Sequence, residues 1–148
     1  MSLKKIAGRA LEILHVEDNA GDATLLKQVL KTAGFPTRLS HVPNGEDALL
    51  FLGKKALYAQ APQPDVVLLD LKLPKKSGLD VLVEIRKDPQ FQHLPVIILT
   101  NSDSDLDMSW ATRFNATQYI VKPMDPGHFD GLVKQLRTYW IKTFQKQP

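Results

Sequence analysis

Residues 65–74 read DVVLLDLKLP, and this stretch decides the fold. Four branched apolar residues stand together without polar alternation, a pattern typical of a strand that is covered on both faces. Asp70 follows this run directly, and Pro74 closes the segment. In open α/β sheets, ligands and chemistry collect at the carboxyl ends of the strands. We therefore expect Asp70 to lie at a functional edge.

The rest of the chain repeats an order of strand followed by helix. Short apolar runs predict four more strands, at residues 11–16, 37–42, 96–99 and 117–121. Between and after the strands, apolar residues recur three and four positions apart and predict five helices. The last of these is expected over residues 126–144. Strands that alternate with helices favour a parallel sheet with helices on both faces and right-handed crossovers.

The composition is that of one ordinary globular domain. The 148 residues are 43% hydrophobic and 24% charged, carry a formal net charge of +3 and include no cysteine. This excludes disulfides and thiolate metal sites, gives no reason to expect nucleic acid as a partner, and fits a cytoplasmic protein. No apolar run reaches the roughly 18 residues of a membrane span. We expect residues 1–9 to be an N-terminal extension and residues 10–148 a single domain that includes a long C-terminal helix.

Polar residues follow four of the predicted strands. They are Glu17, Asp18, Asp70, Thr100 and Lys122. In a parallel sheet these residues share one edge, where three carboxylates repel each other and need more positive charge than Lys122 supplies. A hard divalent cation with oxygen ligands fits this need, and Mg²⁺ typically takes one or two carboxylates together with waters and phosphate oxygens. The pattern therefore predicts a Mg²⁺ site.

Asp70 is the candidate nucleophile of the site predicted at this edge of the sheet. The chain has no cysteine, and no histidine stands at a strand end, so serine or cysteine catalysis is not indicated. A carboxylate can itself accept a phosphoryl group, and phosphoryl transfer depends mainly on neutralising charge around the equatorial oxygens. Mg²⁺, the Lys122 ammonium and the Thr100 hydroxyl could supply that neutralisation.

Taken in order, these residues resemble the receiver domain of two-component response regulators over nearly the whole chain. The matching features are Glu17-Asp18, Asp70 with the segment DLKLP and then Gly78, Thr100, and Lys122-Pro123. The resemblance implies a flavodoxin-like (CheY-like) α/β fold, (βα)5, with five parallel strands. It also implies a phosphoacceptor with at most autophosphatase activity, which takes a phosphoryl group from a kinase phosphohistidine onto Asp70 with Mg²⁺.

Finer features are similar to the single-domain regulators that partner cyanobacterial and bacterial phytochrome histidine kinases. They are VEDN at residues 16–19, the long loop before the third strand, RKDP at 86–89 before LP at 94–95, and YW at 139–140. The resemblance implies a phytochrome-type sensor kinase as partner and a stand-alone regulator. Its output would be a switched protein–protein interface or relay to a downstream phosphotransfer protein.

The resemblance also implies roles for single residues. The metal ligands would be Glu17, Asp18, Asp70 and the backbone carbonyl of Lys72. Asn101 would contact the phosphoryl group through its backbone, and Thr100 and Tyr119 would reorient on phosphorylation. The side chain of Lys72 departs from the family's frequent asparagine and places a charge beside the phosphoryl site.

The predicted C-terminal helix carries more apolar surface than one face needs. Its apolar stripe includes Trp140 and Phe144, and Tyr139 and Ile141 lie beside that stripe, so these side chains cannot all face one core. Exposed aromatics usually mark an interface, and the candidate interface residues are Tyr139, Trp140 and Phe144. We expect a homodimer through these residues, ahead of partner docking or contact with a membrane surface.

Three other functions suit the same residues less well. A small Mg²⁺-dependent aspartyl phosphatase would want a second aspartate two residues after the nucleophile, where Lys72 stands. A flavin-binding protein would want a phosphate loop after the first strand, where Glu17 and Asp18 would repel a phosphate. A pseudo-receiver, a purely structural interaction module, would not need the intact acidic cluster.

Overall fold

The computed structural model describes residues 9–122 and 129–145. Within these residues the chain forms one sheet of five strands: β1 (Leu11–Val16), β2 (Thr37–Val42), β3 (Val66–Leu69), β4 (Val96–Thr100) and β5 (Gln118–Val121). All neighbouring strands pair in parallel, in the order β2-β1-β3-β4-β5. The five predicted strands are confirmed to within one residue at their ends.

Five α-helices connect or follow the strands. They are α1 (Ala20–Lys31), α2 (Gly45–Leu52), α3 (Gly78–Lys87), α4 (Asp105–Arg113) and α5 (Asp130–Gln145). Short 3₁₀ turns lie at Ala56–Tyr58 and Pro89–Phe91. The predicted start of the last helix, at residue 126, lies outside the described residues. None of the described helices is both long and apolar enough to cross a membrane.

Four of the helices begin with the same capping arrangement. The side chains of Asn19, Asn44, Ser77 and Ser104 accept a hydrogen bond from the backbone N–H three residues later. That later residue is an aspartate each time: Asp22, Asp47, Asp80 and Asp107. A polar side chain at the cap satisfies one of the unpaired N–H groups of the first turn, and an acid there interacts favourably with the helix dipole.

The sheet separates two apolar layers, as expected for helices on both faces. Val67 and Leu69 of β3 face a cluster built with α2, α3 and Ala111 of α4. Val66 and Leu68 face the opposite cluster, which includes the apolar faces of α1 and α5. All four of these β3 residues are fully buried, as the unbroken apolar run predicts.

The position of Trp140 in α5 differs from the one expected from the sequence. It is only 2% exposed, its ring lies 5.5 Å from that of Phe35, and its Nε1 donates to the backbone carbonyl of Arg9 at 2.8 Å. The assignment of Trp140 to an interface is therefore wrong, because the indole is buried in the chain's own core between α5 and the sheet. Tyr139 is half-buried, and the side chain of Phe144 lies outside the described residues.

The parallel register brings the ends of the strands together. Val16 pairs with Leu69, and the backbone N–H of Asp70 donates to the Val16 carbonyl at 3.1 Å. At the next strand pair, Thr100 aligns with Val121, and the N–H of Lys122 donates to the Thr100 carbonyl at 2.7 Å. The residues that follow β1, β3 and β5 are thereby fixed side by side along one edge.

Candidate functional site

Three carboxylates surround the ammonium group of Lys122. Its Nζ lies 2.5 Å from Glu17 Oε1, 2.8 Å from Asp70 Oδ2 and 2.9 Å from Asp22 Oδ2. The contact with Glu17 Oε1 is an ion pair whose angles are not those of a hydrogen bond. The side chains of Lys122, Glu17 and Asp70 are 7%, 1% and 8% exposed. The lysine is thus buried among charges of opposite sign.

The end of β1 holds Glu17 through its backbone and its side chain. The Glu17 N–H donates to the Val42 carbonyl at 3.0 Å, which extends the pairing of β1 with β2 by one residue. His41 Nε2 lies 2.6 Å from the Glu17 carbonyl oxygen, a position that its N–H tautomer fills as a donor. The N–H of Asn19 donates to Glu17 Oε2 at 3.2 Å. These contacts leave Oε1 directed toward Lys122.

The loop after β3 holds Asp70 by close backbone packing. Asp70 Oδ1 accepts from the backbone N–H of Lys72 at 3.3 Å, and Oδ2 accepts from Lys122. Gly78, the first residue of α3, lies so close that a Cβ there would be 2.0 Å from the Asp70 carbonyl oxygen and 2.7 Å from Leu71 Cα. Its N–H donates to the Leu71 carbonyl at 2.9 Å. Only glycine fits this approach, and it anchors α3 against the backbone of Asp70.

Burial and charge act in opposite directions on the site's pKa values. Burial acts to raise the pKa of Asp70, but the bond to Lys122 and the hydroxyl of Thr100 outweigh it, and the pKa is lower than usual. Burial raises the pKa of Glu17 to about 7, with the Asp70 charge adding to the effect and Lys122 opposing it. Burial acts to lower the pKa of Lys122, but its three carboxylates raise it above the usual range. Lys122 therefore stays charged.

The acidic residues at this edge suit a hard cation. Glu17, Asp18 and Asp70 each offer one carboxylate oxygen, and these oxygens lie within 4.8 Å of one another. Three carboxylates pair with Lys122, Asp18 lies beside two of them, and Lys72 lines the same cleft, so four acids outnumber two lysines at this edge. Converging carboxylate oxygens with excess negative charge are the ligands that Mg²⁺ takes in proteins, and so the donor set fits this ion.

An open cleft of 330 Å³ gathers the predicted site residues. Its walls include Glu17, Asp18, Asp70, Lys72, Thr100, Asn101 and Lys122. Asn19 and Asp22 complete the lining, and neither was singled out from the sequence as a site residue. Asp22 carries a direct ion pair to Lys122, but its sequence signal is no different from that of the acids that start three other helices.

Thr100 and Tyr119 occupy different places beside the cleft. Thr100 is 1% exposed and lines the cleft, while its Oγ1 accepts from the N–H of Ser102 at 3.4 Å. Tyr119 is half-buried and donates its hydroxyl to the Ser102 carbonyl at 2.8 Å. Both residues therefore contact the segment that follows β4. Pro123, the residue after Lys122, lies outside the described residues.

The sequence matches the model of a known protein family over most of its length. A family described as the response regulator receiver domain matches residues 13–134, and this chain belongs to that family. Response regulator Rcp1 of Synechocystis is 34% identical over 131 residues, which cover 88% of this chain and 89% of that protein. The probable methanogenesis regulatory protein FilR2 of Methanothrix harundinacea is 34% identical over 87% of this chain and 83% of its own length.

Solved structures show the same fold. The phosphorylated cyanobacterial phytochrome response regulator RcpA superposes with a TM-score of 0.81 at 34% identity, over 90% of this chain and 96% of that chain. The Mn²⁺-bound form of Rcp1 gives 0.79 at 33% identity, over 89% and 95%. The bacteriophytochrome response regulator AtBRR gives 0.74 at 32% identity, over 87% and 94%. The flavodoxin-like (CheY-like) (βα)5 fold is confirmed, and the chain is homologous to single-domain phytochrome response regulators.

Proposed function

We propose that Asp70 accepts a phosphoryl group from the phosphohistidine of a sensor histidine kinase, in a Mg²⁺-dependent transfer. The observation that carries the proposal is the buried Asp70 carboxylate bound to Lys122 at 2.8 Å, inside a cluster of acids that suits a divalent cation. Membership of a family of phosphoacceptors supports the same assignment.

The chemistry requires little more than position and charge. An oxygen of Asp70 forms the bond to phosphorus, while the bond from phosphorus to the donor's imidazole nitrogen breaks and its electron pair returns to the ring. Lys122 and the Thr100 hydroxyl, which both interact with Asp70, would neutralise charge on the phosphoryl oxygens. Mg²⁺ held by Glu17, Asp18, Asp70 and the backbone carbonyl of Lys72 would neutralise the rest. The backbone of Asn101 would give a further contact.

We further propose a phytochrome-type kinase as the partner. Support comes from two similar proteins, RcpA and AtBRR, which are described as phytochrome and bacteriophytochrome response regulators. Phosphorylation would move Thr100 and Tyr119, which both contact the segment after β4, and would thereby change a protein–protein surface. The same proposal includes a downstream phosphotransfer protein that receives the phosphoryl group from Asp70. It also includes a cytoplasmic location.

A phosphorylation assay with matched variants tests the assignment of Asp70. With Mg²⁺ and a small phosphodonor, we expect the intact protein to gain the mass of one phosphoryl group, in a linkage that is alkali-labile. Asp70→Asn should show no gain. Asp65→Asn is the matched control, because Asp65 flanks the other end of the same strand and should leave the gain intact. A gain that persists in Asp70→Asn would place the phosphoryl group elsewhere, and absence of a gain with both small and phosphohistidine donors would reject the function.

A homodimer through α5 stays a prediction, with fewer residues available for its interface. With Trp140 buried in the chain's own core, the surface would rest on Tyr139 and Phe144. Sedimentation of the wild type and of Tyr139→Ala, with and without phosphodonor, checks it. A monomer under every condition would reject it.

A further inference from the structure

Asp22 differs from three acids that occupy the same position of other helices. The backbone N–H groups of Asp22, Asp47, Asp80 and Asp107 each bond to the preceding cap side chain, at 2.9, 2.8, 3.2 and 3.3 Å. The carboxylates of Asp47 and Asp107 accept from nearby side chains of their own segments, Asn44 and Ser102. The Asp22 carboxylate instead reaches Lys122, one hundred positions away in sequence. Helix capping therefore does not explain where this carboxylate lies.

The contact with Asp22 also differs from the other two contacts of Lys122. Glu17 and Asp70 belong to the group of three acids whose oxygens converge for a cation, and Asp22 does not. Its side chain is 37% exposed, whereas that of Lys122 is 7% exposed. Asp22, on α1, thus lies on the solvent side of the ammonium and shields it. Two of the three donors of the Lys122 ammonium are hydrogen-bonded, to Asp22 and Asp70, and Glu17 forms an ion pair with the same group.

We propose that Asp22 is a positioning residue that holds the Lys122 ammonium against α1 and competes with the phosphoryl group for it. The inference rests on the proposed phosphoacceptor function of Asp70 and deepens it. An incoming phosphoryl group brings further negative charge to a site with excess carboxylates, so Lys122 must turn a donor toward it. Asp22 opposes this turn by attraction to Lys122 and repels the anion at the same time. The residue consequently slows phosphoryl uptake at Asp70.

The rate of phosphorylation of matched variants tests the proposal. Asp22→Asn keeps the shape and the capped helix but removes the charge. Asp80→Asn removes the same charge from the equivalent position of α3, which makes it the control. With acetyl phosphate at saturating Mg²⁺, we expect Asp22→Asn to gain its phosphoryl group roughly three- to tenfold faster than wild type, the effect of one nearby charge. Asp80→Asn should stay within about twofold of wild type, because its charge is not paired with Lys122.

The outcomes separate the two proposals. If the wild type gains no phosphoryl group on Asp70, the proposed function falls, and the role of Asp22 falls with it. If the wild type is phosphorylated but Asp22→Asn reacts no faster than Asp80→Asn, only the role of Asp22 is overturned. A slower reaction of Asp22→Asn also overturns it, because Asp22 would then assist Lys122 rather than compete for it.

A second measurement needs neither metal nor phosphoryl group. In metal-free protein, the nitrogen resonance of the Lys122 ammonium, assigned by its loss in Lys122→Arg, should show slow exchange of its protons with water. We expect faster exchange in Asp22→Asn, because the ammonium loses the cover on its solvent side, and wild-type exchange in Asp80→Asn. Unchanged exchange in Asp22→Asn would show that Asp22 does not hold the ammonium.

Discussion

The two ends of the parallel sheet both carry acids, but they balance charge differently. At the amino end, Asp65 and Glu12 are joined by two hydrogen bonds that involve their backbones. Asp65 Oδ2 accepts from the Glu12 N–H at 2.8 Å, the Asp65 N–H donates to the Glu12 carbonyl at 2.8 Å, and Arg38 pairs with Glu12 at 3.2 Å. Burial raises the pKa of each carboxyl, and the charge of Arg38 opposes this effect at Glu12. The acids of this end are therefore held by backbone N–H groups and one arginine.

The cations of the two ends show the same contrast. At the amino end, Arg86 donates to the backbone carbonyls of Asn115, Phe91 and Leu94 at 3.0, 3.2 and 2.7 Å. Its partners are neutral groups that lie before β4 and β5, so it fastens the chain where these strands begin. At the carboxyl end, Lys122 binds three anions and leaves negative charge unbalanced. Arg86, which donates to neutral carbonyls, stabilises the fold. Lys122, which the neighbouring acids outnumber, indicates a site for a further positive ligand.

Replacement of Lys122 should have the largest effect. Lys122→Met leaves buried carboxylates without their cation, and we expect the free energy of unfolding in EDTA at pH 7 to fall by about 3–5 kcal/mol. Mg²⁺ should restore part of this loss, because it supplies the missing positive charge, and phosphorylation of Asp70 should be lost. Urea unfolding with EDTA and with Mg²⁺ measures both the loss and its recovery.

Arg86→Met is the matched change at the amino end. It leaves backbone carbonyls without their donor, and we expect a loss of about 1–3 kcal/mol. Mg²⁺ should add no more stability to Arg86→Met than it adds to the wild type, and phosphorylation should survive. If Mg²⁺ restored the free energy of unfolding equally in Lys122→Met and Arg86→Met, the two ends of the sheet would not differ in their need for a cation.

Gly78→Ala tests how firmly the carboxyl end is packed. The new Cβ would overlap the Asp70 carbonyl oxygen, and we expect a loss of about 1–3 kcal/mol in thermal or urea unfolding. Gly131→Ala in α5 is the control, since a Cβ there meets nothing within 4 Å. It should leave stability unchanged or raise it by up to about 1 kcal/mol. Similar losses in the two variants would show that α3 is not anchored at Asp70.

The pH dependence of Glu17 gives a smaller effect with a defined sign. The folded protein holds the pKa of Glu17 at about 7, above its ordinary value of 4.5, so the folded state binds this proton more tightly. The contribution of Glu17 to stability is then lost as pH rises from 4.5 through 7. In EDTA, the free energy of unfolding of Glu17→Gln should therefore rise by about 1–2 kcal/mol relative to that of the wild type as pH increases from 6 to 8.

Glu12→Gln is the control at the other end of β1. Mg²⁺ should stabilise the wild type and Glu12→Gln alike, by binding the folded state, and should stabilise Glu17→Gln much less. Denaturation curves at several Mg²⁺ concentrations give this comparison. A full Mg²⁺ response in Glu17→Gln would remove Glu17 from the ligand set.

The sequence by itself determined the sheet and most of the candidate site. Runs such as residues 66–69 are buried on both faces and have few alternatives to a parallel strand, so the strands emerge where the apolar runs stand. Once the strands are parallel, their carboxyl ends share one edge. The residues after them, Glu17, Asp70 and Lys122, then meet without further information.

Only the tertiary structure decided which similar residues are special. Asp22 and Asp80 have the same local pattern, and the contact across one hundred positions to Lys122 distinguishes them. Trp140 was wrongly assigned to an interface, because helical spacing gives the direction of a side chain but does not show which distant residues cover it. Phe35 and the Arg9 carbonyl, both distant in sequence, supply that cover. Local propensity acts over a few residues, whereas burial and charge pairing depend on what the fold places opposite each side chain.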